Sequence, residues 1–436
     1  MLTFLGFAMV ITFMYLIMTK RLSALIALIL VPILFALFGG FSAKIGPMML
    51  EGISKLAPTG VMLMFAILYF ALMIDSGLFD PAVRKILKLV KGDPLKVSVG
   101  TAVLALVVSL DGDGATTYMI CCAAMLPMYS RLGMSPRIMA GLIILAGGVM
   151  NMTPWGGPTA RAASALHVDP SDIFVPMIPA MLFGVLAILA IAYMYGKRER
   201  VRLGELHLPT DDIDHSEVSV SQYPEARRPK LLYFNGALTA ALMVALIAGV
   251  LPLPVLFMIA FSIAMIVNYP CLQQQKDRIA AHAGSVLAVT GLIFAAGIFT
   301  GILSGTGMVD AMSKSLLAVI PEALGPYLAV ITAIVSMPFT FFMSNDAFYY
   351  GVLPVLAEAA SHYGISPVEM ARASIVGQPV HLLSPLVPST YLLVALAGIE
   401  FGDHQRFTLK WAVLVCLCIM FAALLMGIFP LFSSLQ

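Results

Sequence analysis

Asp111 and Asp113 stand two residues apart with Gly112 between them and Gly114 after them, inside a stretch that is otherwise apolar from Val97 to Tyr129. Glycines free the backbone from helical geometry, so two carboxylates at this spacing can point into one cavity. Such a pair has three uses: as oxygen ligands to a hard cation such as Mg2+ or Ca2+, as proton carriers, or as caps on the helical pieces either side. A calcium loop fits poorly, because the third acidic position and the distal Glu are missing. A second pair of short apolar runs, Leu328–Met343 and Ala347–Ala360, meets at Ser344-Asn345-Asp346. An ionisable group inside a bilayer costs at least about 2.5 to 3.5 kcal/mol, so Asp346 joins Asp111 and Asp113 as a candidate for proton coupling and for metal contact.

Complementary chemistry lies at two interruptions. The run Met139–Met150 stops at Asn151-Met152-Thr153-Pro154-Trp155-Gly156-Gly157-Pro158, and Ala371–Leu383 stops at Ser384-Pro385-Leu386-Val387-Pro388-Ser389-Thr390. Proline ends helical hydrogen bonding, and the Gly156-Gly157 pair offers backbone N–H groups that suit an anion. Asn151, Thr153, Thr159, Ser384, Ser389 and Thr390 add side-chain donors, with Ser344 and Asn345 at the second hinge. Arg161 carries a guanidinium able to grip a carboxylate in two places; the alternative is an ordinary interfacial arginine. Asp75 and Glu400 read as interfacial, Glu358 as a proton relay or a residue at an aqueous mouth, and His381 as a hydrogen-bonded core histidine. Gly297, Gly301 and Gly305 have the spacing of close helix packing.

The elements that must hold these residues follow from composition. Of 436 residues 60% are hydrophobic and 11% charged, against about 45–50% and 25% in soluble domains, which excludes a soluble enzyme. The net charge of +2 gives no reason to expect nucleic acid as a partner. Cys121, Cys122, Cys271, Cys416 and Cys418 lack metal-ligand spacing with histidine and read as small core residues. The run Leu2–Met18 leads into Lys20-Arg21 and is expected to be a retained first span. Further full spans are expected at Leu22–Gly40, Thr59–Ile74, Ile173–Tyr195, Leu231–Val250, Leu253–Val267, Gly284–Ile302 and about Trp411–Phe432. The short pairs around 111–114 and 344–346 read as re-entrant hairpins, and the Pro-interrupted runs as broken helices.

The expected fold is an all-α polytopic membrane protein of two repeats, 1–196 and 231–436, joined by a polar cytoplasmic linker over 197–230 that contains Pro209, Pro224 and Pro229. Gly133-x-Ser135-Pro136 corresponds to Gly364-x-Ser366-Pro367, Thr153-Pro154 to Ser384-Pro385, and Thr159 to Thr390, all 231 positions apart; Gly77 and Asp80 correspond to Gly307 and Asp310 at nearly that spacing. About five crossings per half is an odd number, so the second repeat is inverted. With Lys20-Arg21 inside, the cytoplasmic loops also collect Arg84, Lys85, Lys88, Lys91, Lys96, Arg131 and Arg137, the linker's basic residues, and Lys276, Arg278, Arg406 and Lys410, as the positive-inside rule requires. Inverted repeats with broken helices and a mid-membrane site are the pattern of secondary transporters.

Gly77-Leu78-Phe79-Asp80, Lys91-Gly92-Asp93-Pro94-Leu95-Lys96, Leu110-Asp111-Gly112-Asp113-Gly114-Ala115-Thr116-Thr117-Tyr118-Met119 and Pro154-Trp155-Gly156-Gly157-Pro158-Thr159-Ala160-Arg161-Ala162-Ala163 together resemble the CitMHS family of citrate–metal ion:proton symporters, over essentially the whole chain. The resemblance implies a multi-pass protein of the plasma or inner membrane that takes up citrate complexed with Mg2+, Ca2+ or a similar ion, driven by protons. It also implies an elevator motion, a homodimer and no permanently bound cofactor. Sodium-coupled members of the wider superfamily carry Ser-Asn-Thr at both hinges; the acids here point away from sodium. Rival readings are a cation:proton antiporter or another anion permease of the same architecture and, from other classes, a membrane-embedded enzyme or a passive channel.

Overall fold

A computed structural model describes residues 1–90, 92–112, 114–203, 223–318 and 321–433, with the backbone alone for Asp111. The described residues form helices. The first half runs α1 (Leu2–Met18), α2 (Ala24–Phe38), α3 (Ile45–Asp75), α4 (Asp80–Val90), α5 (Pro94–Val108), α6 (Gly114–Leu132), α7 (Pro136–Met150), α8 (Gly157–Leu166) and α9 (Pro170–Leu203). The second runs α10 (Leu232–Ile247), α11 (Leu253–Asn268), α12 (Leu272–Gly305), α13 (Met308–Leu317), α14 (Leu328–Phe342), α15 (Leu353–Ser361), α16 (Pro367–Ser374), α17 (Gln378–His381), α18 (Pro388–Ala397) and α19 (Phe401–Leu425).

The order of long and short helices thus occurs twice. Pro136 and Pro367, Met150 and His381, Gly157 and Pro388, Leu166 and Ala397, and Pro170 and Phe401 bound matching helices at one constant offset of 231 positions. The left-handed residues Gly133 and His167 have left-handed counterparts in Gly364 and Gly398 at the same offset. Start signals agree with this register. Pro136, Pro367 and Pro388 occupy first-turn positions, where a missing N–H costs nothing, and Ser366 forms a capping box with Glu369.

Several helices depart from the expected limits. α3 begins at Ile45 rather than Thr59, and Glu51 and Lys55 pair one turn apart at 2.8 Å within its polar opening turns. α12 begins at Leu272, where Gln273 bonds Asp277 and Arg278 reaches the buried Asp75. α9 runs on to Leu203, its charged end held by Arg200 on Asp93 and by Arg202 on Glu199. α19 spans Phe401–Leu425 and ends before the left-handed Gly427. The short helices α4 and α13 lie where no helix was expected, whereas α8 and α18 follow the two interruptions as the second pieces of the broken helices. Cys121, Cys122 and Cys416 are buried, but Cys271 is exposed at the start of α12.

The buried residues divide into two main cores. One gathers α1–α3 and α10–α13; the other gathers α4–α7, α9, α14 and α16–α19; α8 and α15 place residues in both. In the first core α3 and α12 cross backbone against backbone, at a point where a Cβ on Gly297 would lie 2.9 Å from the Gly52 carbonyl oxygen. In the second, α5 and α6 pack side by side as a helical hairpin, and α7 lies against α17. Helices with an 18-residue window apolar enough to cross a membrane include Ser42–Asp75, Pro170–Leu203, Pro229–Ile247, Leu272–Gly305, Glu322–Phe342 and Phe401–Leu425.

Candidate functional site

The first hinge is a short 3-10 turn, Ser109–Asp111, closed by Gly112 at φ 79° before α6 starts at Gly114. The positive φ explains the glycine. Asp113 and the Asp111 side chain lie outside the described residues, so their proton and metal assignments have no geometry. Among the described residues no three His, Cys, Asp or Glu side chains converge as a metal site would require.

Against this hinge lies a cavity of about 160 Å3 lined by Ser109, Gly112, Gly114, Thr117, Tyr118, Gly147, Asn151, Leu382 and Ser389. It joins the hairpin tip to the end of α7 and the break before α18. The hydroxyls of Ser109 and Thr117, 5% and 1% exposed, have no hydrogen-bond partner. A buried hydroxyl without a protein partner is costly, so two on one cavity wall make this cavity the candidate site for a polar ligand or water. Of the expected substrate-binding residues, Asn151 and Ser389 line this cavity. Ser109, Thr117 and Tyr118 were not anticipated, since single hydroxyl residues in apolar runs carry no distinguishing signal in sequence.

The break after α7 folds into a compact turn in which the Gly156 N–H donates to the Thr153 carbonyl at 2.8 Å. This N–H, expected to be open to an anion, is therefore engaged. Three expected donors are likewise committed. Thr159 donates to the Met152 carbonyl at 3.0 Å, Thr390 to Leu382 at 2.5 Å and Ser384 to Phe341 at 2.6 Å. The two threonines occupy matching positions, and each satisfies a carbonyl exposed where the preceding helix stops, seven residues back from Thr159 and eight back from Thr390, which makes them supports of the breaks. The Thr153 hydroxyl, by contrast, is buried with no partner.

Arg161 and Asp346 were expected on different partners, the substrate and the proton or metal. They meet each other: the guanidinium Nε lies 2.6 Å from the Asp346 carboxylate, with side chains 21% and 16% exposed. Gly157 makes room, since a Cβ there would lie 2.7 Å from the Arg161 Nη1. Asp346 opens a turn of π-helix, Ala347–Val352, and Ser344 accepts from the Ala347 N–H at 3.2 Å. Such turns recur at functional sites. His381, expected to be a satisfied core histidine, bonds the Thr340 carbonyl through Nδ1 at 2.7 Å.

Gln378, fully buried and not anticipated, ties the second hinge to the cavity. Its carbonyl accepts from Asn151 at 3.2 Å, and its amide donates to the Tyr349 hydroxyl at 2.9 Å and to Asn345 at 3.5 Å. A continuous polar path therefore runs from the cavity wall at Asn151 through Gln378 to Asn345, the neighbour of Asp346. Geometry of this kind suits binding and release of a small polar solute; no nucleophile–base pair is assembled among the described lining residues.

Comparison with known proteins agrees. The chain is 63% identical over 428 residues, 98% of this chain and 99% of the relative, to a citrate transporter of Bacillus subtilis (strain 168). It is 56% identical, over the same shares, to the Mg(2+)/citrate complex secondary transporter of that organism. Two solved transporters share the fold at 15% identity: Neisseria gonorrhoeae MtrF, with TM-score 0.60 over 89% of this chain and 84% of that one, and Alcanivorax borkumensis YdaH, with TM-score 0.55 over 88% of each. The sequence pattern of the CitMHS family, described as citrate transporter, matches residues 13–377. The chain is thus a multi-pass membrane transporter rather than an enzyme, and it belongs to the CitMHS citrate transporter family.

Proposed function

We propose that this protein imports citrate as a complex with a divalent metal ion, in symport with protons, by an elevator type of alternating access. The observation that carries the reading is the cavity wall: neutral donors at Ser109, Thr117, Asn151 and Ser389, two of them unpartnered. Citrate carries three negative charges and a divalent cation cancels two. The complex is a monoanion, far cheaper than the trianion to move into a site of hydroxyls and amides. The relative that carries the Mg(2+)/citrate complex supports the same substrate.

Asp111 and Asp113 at the hairpin tip are the candidates for metal contact, with Asp346, and all three for proton binding. Arg161 supplies the exchange step. Protonation of Asp346 removes its charge, frees the guanidinium and lets it take a substrate carboxylate, so proton and substrate favour the same state. Thr153, Gly156, Gly157, Thr159, Ser344, Asn345, Ser384 and Thr390 shape the two breaks and the second hinge around that exchange. The repeated helix order supports two inverted repeats, 1–196 and 231–436, joined by 197–230, with re-entrant hairpins at α5–α6 and α14–α15. The two separate cores support movement of one bundle against the other, in a homodimer as the family resemblance implies.

Labelled citrate uptake into proteoliposomes, with citrate fixed and Mg2+ or Ca2+ varied under an imposed proton gradient, tests the reading. Uptake is expected to rise with the divalent ion and to collapse with a protonophore. Uptake that is fastest in a chelator, or indifferent to the gradient, overturns it; a cation:proton antiporter would move no citrate.

A further inference from the structure

Trp155 sits in the first break, 6% exposed, and its ring belongs, with Ala160 and Ala165 of α8, to the core of α1–α3 and α10–α13, whereas Met152, Ala162 and Ala163 belong to the other core. Its ring centroid lies 4.9 Å from Phe70 on α3, 5.5 Å from Phe257 on α11 in an edge-on arrangement, and 6.4 Å from Phe174 on α9. From this socket the indole N–H donates to the Leu110 carbonyl at 2.9 Å, and its Cδ1 would lie 3.1 Å from a Cβ placed on Gly112. The hairpin tip that forms one edge of the cavity is therefore held by a side chain anchored in the opposite core. The matching position in the second half is Leu386, which has neither a ring nor a donor.

We propose that Trp155 is a positioning residue that sets the Ser109–Gly112 edge of the substrate cavity while its ring is seated between Phe70 and Phe257, and that the ring must leave that seat when the two bundles move. The inference rests on the transport reading above and adds a single-sided latch to it. Seating orders the tip and favours binding; leaving the seat contributes to the barrier for movement. Loss of the hydrogen bond alone weakens binding without slowing movement, which separates this role from a packing role.

Trp155→Phe keeps a ring in the socket and removes the donor. Metal-citrate uptake in proteoliposomes is expected to show KM raised about fivefold, the effect of one lost hydrogen bond, with the maximal rate retained or raised. Phe70→Leu, which loosens the socket and leaves the bond, is expected to shift KM in the same direction. Because the chain has two tryptophans, a Trp411→Phe protein reports Trp155 alone, and Mg2+ with citrate is expected to change its emission. An unchanged KM in Trp155→Phe overturns the proposal, as does emission indifferent to Mg2+ and citrate in a Trp411→Phe protein that transports. Absence of citrate uptake by the wild-type protein overturns the functional reading and this inference with it; normal wild-type uptake beside an unchanged KM overturns this inference alone.

Discussion

Removing one member of the Arg161–Asp346 pair strands the other in a largely dry environment. For a fully buried pair that costs roughly 3–5 kcal/mol. The side chains keep 21% and 16% of their exposure, so residual water brings the expected loss to about 2–3 kcal/mol for either Asp346→Asn or Arg161→Met. The double variant Arg161→Met/Asp346→Leu removes both charges and is expected to recover most of that loss, giving an interaction energy of at least about 1 kcal/mol. Thermal melts of the purified protein in detergent measure this, and uptake by the same samples separates stability from function. The single Asp346→Asn variant should lose proton-driven accumulation while still exchanging citrate across the membrane, and the double variant should be stable and inactive. Additive stability losses would refute the pairing, and undiminished accumulation in Asp346→Asn would remove that carboxylate from coupling.

Three further outcomes follow from the geometry. Ser109→Ala and Thr117→Val delete unpartnered buried hydroxyls, so each should leave the melting temperature unchanged or higher while raising the KM for metal-citrate severalfold; a fall in both would mean the hydroxyls only pack. Burial of Asp93 favours its neutral form, but hydrogen bonds from Arg200 and the Leu95 N–H, with the charges of Arg200 and Lys96, outweigh burial and hold the carboxyl below its usual range. Stability from this group is therefore present above the ordinary carboxylate range and lost as pH falls through the folded value. Asp93→Asn should lower the melting temperature at neutral pH by an amount that closes below about pH 4, measured by melts across a pH series. Gly297→Ala would press a methyl onto the Gly52 carbonyl and should cost about 1–3 kcal/mol in melts, whereas Gly284→Ala, facing open space, should cost nothing.

Element type and order were legible because apolar run length and Pro-containing interruptions report them directly. Leu2–Met18 and Leu253–Val267 fall within a residue of the helices found, and both breaks lie where Pro154 and Pro385 stand. Limits inside polar stretches were not legible: the polar first turns of α3 and α12 carry too little apolar run to register, and Arg278 of α12 pairs with Asp75, a partner far away in sequence. The amphipathic α4, with Val83, Leu87 and Val90 turned inward and Lys85 and Lys88 outward, is too polar to register as a span. At the site, residue types pointed to the hinges and breaks, and Asn151 and Ser389 line the cavity. Sequence could not reveal that Arg161 meets Asp346 across 185 positions. Nor could it distinguish the open hydroxyl of Thr153 from the engaged one of Thr159, since that difference depends only on which carbonyl lies nearby.

The crossing of α3 with α12 joins the halves of the chain by main-chain atoms, at Gly52 from one and at Gly297 and Gly301 from the other. Two fragments cut between Leu203 and Tyr223 and made together are therefore expected to associate through this crossing, and each half made alone would leave its glycine groove uncovered; co-purification of the two halves from one membrane measures it.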